Sequence, residues 1–198
     1  MPSVNQSEKT ISMKIAFCGP GQSGKTTAVE FIRAQRGLKE QKAVEADDDA
    51  ENPSGHSGDE TKTFKKYMFQ LGNVKGFKVF VTMITVPGMI FHKAERGMLL
   101  QDVDAVVFVA DSHPERVYAN KVMLEQIREM LYEETRGDLS KVTFVLMYNK
   151  RDLPNATPID EMEKFNIWKI PYVEATARTG EGVNDAFKKA VQGVLTRL

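Results

Sequence analysis

Gly19-Pro20-Gly21-Gln22-Ser23-Gly24-Lys25-Thr26 carries the spacing G-x-x-x-x-G-K-[ST]. Glycines at those places let successive backbone N–H groups close around phosphate oxygens, and a helix opening at the end of the loop adds a favourable field. Lys25 suits a bridge between the β- and γ-phosphates of a nucleotide, and the Thr26 hydroxyl suits Mg²⁺. Gly19, Gly21, Gln22, Ser23, Gly24 and Thr27 are the expected companions of that contact. A chance glycine loop would share the letters but not the setting. Here the short apolar run Lys14–Gly19 precedes the loop, and helical spacing through Ala28, Phe31 and Ile32 follows it across Gly24–Arg36.

A second cluster could select a base. Asn149-Lys150-Arg151-Asp152 directly follows the apolar run Val142–Tyr148. A carboxylate at Asp152 can accept from both N1–H and the 2-amino group of guanine. Adenine offers neither donor, and a site that demands such bonds can reject the analogue by about 10⁴-fold. Asn149 is placed to brace neighbouring loops, and the Lys150 stem to cover the base plane. Ala175, Thr176 and Ala177 lie after the last apolar run, where a backbone N–H can reach the guanine oxygen. Asn-Lys-Arg-Asp alone is also an ordinary solvated loop; behind a phosphate loop it marks a GTP/GDP site.

Positioning these groups requires strands alternating with helices. Lys65–Gly72 and Phe77–Val86 read as two strands joined by a turn around Asn73 and Gly76. Asp104–Asp111 and Val142–Asn149 have the Val- and Phe-rich character of parallel strands covered on both faces. Glu115–Thr135 forms a helix with Val117, Leu124, Ile127 and Leu131 as its stripe. Tyr172–Thr176 is a last strand, and Val183–Leu198 a last helix buried through Val183, Phe187, Ala190, Val191 and Val194. The pattern predicts an α/β three-layer fold with a mainly parallel sheet over residues 14–198, preceded by a flexible N-terminus, 1–13. In the strand Lys65–Gly72, Tyr67, Phe69 and Leu71 share one face and Met68 and Gln70 the other. Either register buries apolar surface, so its pairing is weakly specified.

Composition narrows the classes. The 198 residues suit one domain, and 27 Lys and Arg balance 27 Asp and Glu, which disfavours a nucleic-acid binder. A hydrophobic fraction of 41% supports a core. The single Cys18 cannot build a disulfide framework, and the first residues contain no signal core, so a reducing cytoplasm is expected. No apolar run reaches membrane-spanning length, and the ends Met1-Pro2 and Thr196-Arg197-Leu198 match no myristoylation or prenylation signal; neither a membrane segment nor a lipid anchor is expected. The zero charge hides an asymmetry. Between Glu40 and Glu60 eight acids oppose Lys42 alone, giving −7 and leaving +7 for the remainder. With Asn52-Pro53-Ser54-Gly55 inside it, residues 40–60 read as an acidic mobile loop.

Taken together, the phosphate loop, Gly72-Asn73-Val74-Lys75-Gly76-Phe77-Lys78, Thr85-Val86-Pro87-Gly88, Val107-Phe108-Val109-Ala110-Asp111-Ser112 and Tyr148-Asn149-Lys150-Arg151-Asp152-Leu153-Pro154 make the chain resemble a Ras-like small GTPase. More narrowly, it is similar to the bacterial MglA-type gliding-motility and cell-polarity GTPases, from about Lys14 to the C-terminus. The resemblance implies the P-loop NTPase fold, GTP/GDP and Mg²⁺, a Roadblock-type activating protein, downstream effectors, and recruitment by partners to a cell pole or the membrane periphery. It also implies roles: Thr61 as the first-switch Mg²⁺ ligand, with Thr63 a competing alignment; Gly88 as the N–H that meets the γ-phosphate; and Thr85 where most small GTPases carry a Mg²⁺-linked Asp. MglA-type proteins slide the strand equivalent to Lys65–Gly72 when activated.

Two positions depart from that pattern. Met89 stands where a water-orienting Gln is usual, and a thioether, a weak acceptor with no donor, cannot align water as an amide does. Glu60 stands where the residue before Thr61 is commonly Arg, and such a cation can contribute about 10³–10⁵ in rate. Slow unaided hydrolysis is therefore expected, with a hydrolysis-deficient GTP-binding scaffold as the alternative. His92 could position water but reads more simply as structural. His56 and His113 lack companions for a protein-built zinc site. Cys18 reads as a small buried apolar side chain, and Trp168 and the Met residues as packing.

Overall fold

The computed structural model describes residues 2–38, 64–88 and 93–198. The apolar runs assemble side by side. Thr10–Cys18 (β2), Phe77–Thr85 (β4), Ala105–Asp111 (β5), Thr143–Asn149 (β6) and Tyr172–Glu174 (β7) pair in parallel, in the order β4-β2-β5-β6-β7. Lys66–Val74 (β3) adds antiparallel to the outer side of β4, and Ser3–Asn5 (β1) adds antiparallel to β2. All seven residues of β5 are buried, the continuous hydrophobicity that a parallel strand between two helical layers needs.

Those layers are Lys25–Gln35 (α1) and Val183–Leu195 (α5) on one face, Val117–Glu134 (α3) and Ile159–Glu163 (α4) on the other. Odd-numbered positions of β2 and β5, such as Ile15, Phe17, Val107 and Val109, meet Ile32, Phe187 and Val194; even-numbered ones, such as Ala16, Val106 and Phe108, meet Leu124, Ile127 and Leu131. The three-layer α/β architecture is thus the one the alternation predicts. Among the described residues no helix is long and apolar enough to cross a membrane.

Several expectations need correction. Residues 3–13 are not a loose tail: β2 begins at Thr10, Ile11 and Met13 are buried, and β1 zips onto it through Ser3↔Ser12. The polar letters of that stretch are the outward half of an alternating strand. Lys93–Leu100 (α2) and α4 are helices that the sequence reading left as connections. Trp168 is not packed away. It is 37% exposed and covered on its ring by Arg128 at 4.1 Å, and Met68 and Met98 are exposed as well. The acidic segment 40–60 lies outside the described residues.

One register of β3 is observed: Tyr67 and Phe69 face the core and Met68 and Gln70 face out, with a bulge between Gln70 and Gly72. A polar tie holds it. Glu30 on α1 accepts from Lys65 Nζ at 2.7 Å, from the Tyr67 hydroxyl at 2.5 Å and from Arg33 Nε at 2.6 Å. Burial pushes the Glu30 carboxyl up, but these three donors and the Lys65 charge outweigh it and hold it at about 2, below the ordinary 4.5. A depressed carboxylate stabilises the fold above its ordinary value and loses that contribution as pH falls towards the folded one. Glu30→Gln is therefore expected to lower the urea midpoint at neutral pH, with the gap to the parent protein closing between about 4.5 and about 2. A gap that does not narrow over that range would remove the carboxylate charge from this role.

Candidate nucleotide site

The C-terminal ends of β2, β5, β6 and β7 all open on one edge of the sheet, where α/β folds bind their ligands. The loop after β2, residues 19–24, runs into α1, and each buried carbonyl along it needs a donor. Lys25 Nζ, 8% exposed, donates to Gly19 O at 3.0 Å and Pro20 O at 2.7 Å. The Arg116 guanidinium, from the short 3₁₀ turn Pro114–Arg116, donates to Gly21 O at 2.7 Å. Asn149 Nδ2 donates to Ser23 O at 2.7 Å, and Ala28 N–H to Gly24 O at 2.9 Å. Gly24 has φ +97° and a Cβ there would run into the Asn149 amide, so only glycine satisfies both the turn and the contact.

Burial lowers the Lys25 ammonium to about 8, with the nearby Arg116 charge acting in the same direction. A phosphate dianion beside it would reverse that. Ser23 Oγ is fully buried with no hydrogen-bond partner among the described residues, an orphaned donor inside the loop. Among the described residues no trio of His, Cys, Asp and Glu converges as a metal site. A cation here would therefore take hydroxyl oxygen and the nucleotide's own phosphates, a donor set that suits Mg²⁺. Thr26, half-buried in the first turn of α1, fits that set. Thr85 is buried with its Oγ1 accepting from Lys65 N–H at 2.8 Å, an engagement that ties it to the segment entering β3.

At the other end, Asn149 Oδ1 accepts from Ala177 N–H at 2.8 Å, so one buried amide joins the phosphate loop to the segment after β7. Ala175, Thr176 and Ala177 are buried around it. Asp152 is less enclosed than expected: its carboxylate keeps 32% exposure and pairs with Arg178 at 3.1 Å. Lys150 pairs with the buried Asp111 at 2.6 Å. Gln22, Gly24, Thr27, Lys150, Asp152, Leu153 and Ala177 line a cleft of about 240 Å³ between the two motifs. At the opposite side, a Cβ on Gly88 would sit 2.5 Å from Gly21 N, so Val86-Pro87-Gly88 approaches the loop as closely as backbone allows. Thr61, Thr63, Glu60, Met89, His92 and His56 lie outside the described residues.

Three supporting residues escaped the sequence reading. Arg151 ties its loop down through Thr157 O at 2.6 Å and Glu174 at 3.1 Å. Asn120, fully buried on α3, both donates to Asp111 O at 2.8 Å and accepts from Asp111 N at 2.9 Å, fixing the end of β5. A readable signal existed, because Asn120 interrupts the apolar stripe between Val117 and Leu124. Arg116 had no such signal, since its partner lies 95 positions away.

The profile of the ADP-ribosylation factor family matches residues 2–194. The chain is similar to the mutual gliding-motility protein MglA of Myxococcus xanthus (strain DK1622), with 41% identity covering 100% of this chain and 98% of that protein. It is also similar to the DnaJ homolog subfamily C member 27 of Gallus gallus, with 24% identity over 69% of this chain and 54% of that protein.

The Asn149 clamp predicts its own measurement. Asn149→Ala leaves Ser23 O and Ala177 N–H without partners, each worth about 1–3 kcal/mol when buried. The variant is expected to unfold at lower urea by about 2–4 kcal/mol; a stability within experimental error of the parent would mean that the two segments hold together without it.

Proposed function

The chain belongs to the ADP-ribosylation factor family of small GTPases, GTP-binding proteins on the P-loop fold, and we propose that it is a guanine-nucleotide switch that hydrolyses GTP to GDP slowly unless a partner assists. The supporting observation is the Asn149 amide, which makes a phosphate loop and a guanine-type motif into one rigid cleft. In this reading the loop N–H groups, Lys25 and Thr26 hold the phosphates and Mg²⁺; Asp152 and the Ala177 segment read guanine. When bound, Mg²⁺ offsets charge on the β- and γ-phosphates.

Arrangement of the water that attacks the γ-phosphorus is the weak point. Met89 supplies no amide to orient it, and Glu60 supplies no cation to stabilise the transition state. Thr61, as the first-switch Mg²⁺ ligand, Thr85, at the position usual for a Mg²⁺-linked Asp, and Gly88, through its N–H, would still sense the γ-phosphate and order both switches. A Roadblock-type activator would complete the catalytic set. By likeness to the relative named for gliding motility, the process served is motility or cell polarity, with the protein in the cytoplasm and brought to a pole or membrane periphery by partners. The −7 segment ahead of Thr61 would favour coupling to a basic partner surface or to the +7 remainder of the chain. Met89 favours a second reading, a scaffold that holds GTP with negligible turnover.

Nucleotide released from denatured pure protein should be GTP or GDP, and Lys25→Ala should abolish its retention. Adenine nucleotide there would overturn the guanine reading. In single turnover, Met89→Gln is expected to raise phosphate release by about tenfold or more. Rapid release by the unmodified protein alone would overturn slow hydrolysis, and no release with any partner would leave the scaffold.

A further inference from the structure

Arg116 is the one cation among the described residues that reaches the phosphate loop from a separate element, and nothing in the guanine-nucleotide motifs requires it. We propose that Arg116 is a positioning residue that clamps the γ-phosphate end of the site and makes it favour the triphosphate over the diphosphate. The proposal rests on the guanine-nucleotide reading above.

The loop has two ends. Gly24 abuts Asn149 and Ala177, the base end; Gly21 abuts the backbone of Gly88, the end furthest from the base. Arg116 donates to the carbonyl of Gly21 itself, at 2.7 Å. Its own support is rigid. Asn120 locks Asp111 from both sides, the His113 N–H donates to Asp111 Oδ1 at 3.0 Å, and the Arg116 N–H donates to His113 O at 2.9 Å. The guanidinium is therefore carried by a turn that is tied to the end of a fully buried strand, and Arg116 itself is half-buried.

Two consequences follow. Accepting from Arg116 polarises the outward Gly21 carbonyl of the Pro20-Gly21 turn and fixes the direction of the N–H groups on the inner side. The half-buried charge also adds a second cation close to Lys25, which depresses Lys25 in the absence of an anion and is relieved by one. Both effects act most on the phosphate nearest Gly21, so a nucleotide that lacks the third phosphate gains least. An arginine here supplies, in a fixed place, positive charge that Glu60 does not.

The test is the ratio of affinities for a non-hydrolysable GTP analogue and for GDP, measured with full-length protein in Mg²⁺ buffer for the parent, Arg116→Gln and Arg116→Lys. Arg116→Gln is expected to weaken the analogue roughly tenfold more than GDP, the scale of one partly screened charge at a few ångströms. Arg116→Lys, which keeps the charge, is expected to restore most of the ratio. Equal loss for both nucleotides in Arg116→Gln, or a ratio unchanged from the parent, overturns the proposal, because a merely structural clamp would not discriminate. If Arg116→Gln does not fold, Arg116→Lys decides: a ratio near the parent's that falls as salt rises supports the charge, and a ratio insensitive to salt overturns it. A parent protein that binds neither nucleotide would instead overturn the guanine reading on which this inference rests.

Discussion

A loop that presents its N–H groups to phosphate must turn its carbonyls the other way, into protein, and an unpaired buried carbonyl costs about as much as a lost hydrogen bond. Much of this structure can be understood as the answer to that constraint. Donors from three elements meet the loop carbonyls: Lys25 and Ala28 from the first turns of α1, Asn149 from the end of β6 and Arg116 from beyond β5. The registers set the levels from which they reach: β5 and β6 end together, Asp111 opposite Asn149, while β2 stops opposite Phe108, three residues before the end of β5.

Because the donors come from separate elements, the site and the fold stabilise each other. Asn149 is satisfied only when β6, the phosphate loop and the segment after β7 are all in place; Asn120 is satisfied only when α3 lies on the end of β5. The apolar layers supply the rigidity behind these contacts: β5 is buried along its whole length, and α3 and α5 cover its two faces. On the outer side the logic differs. Among the described residues antiparallel β3 has one neighbour in the sheet, and its inward residues are held in register partly by the polar tie from Glu30 rather than by packing alone. Part of the attachment of β3 is therefore by charge, which responds to its surroundings more readily than a buried apolar contact does.

What the chain shares with its relatives is spread over its full length and is not confined to the motifs. Met89 and Glu60 are single-residue departures from the pattern that the sequence resembles.

The amino-acid sequence by itself determined the class of the fold, because continuous apolar runs alternating with helical stripes admit few arrangements, and it singled out Gly19–Thr26 and Asn149–Asp152, local patterns whose spacing carries their chemistry. It misread residues 3–13, where a half-exposed strand looks polar, and it left the register of β3 open, because both faces of that strand carry apolar residues. Only the tertiary structure decided which register is made, through a carboxylate on α1. It also decided that Arg116 meets Gly21 and Asp111 meets Lys150. Those partners are 95 and 39 positions apart, and a contact between distant residues leaves no period in the sequence from which it could be read.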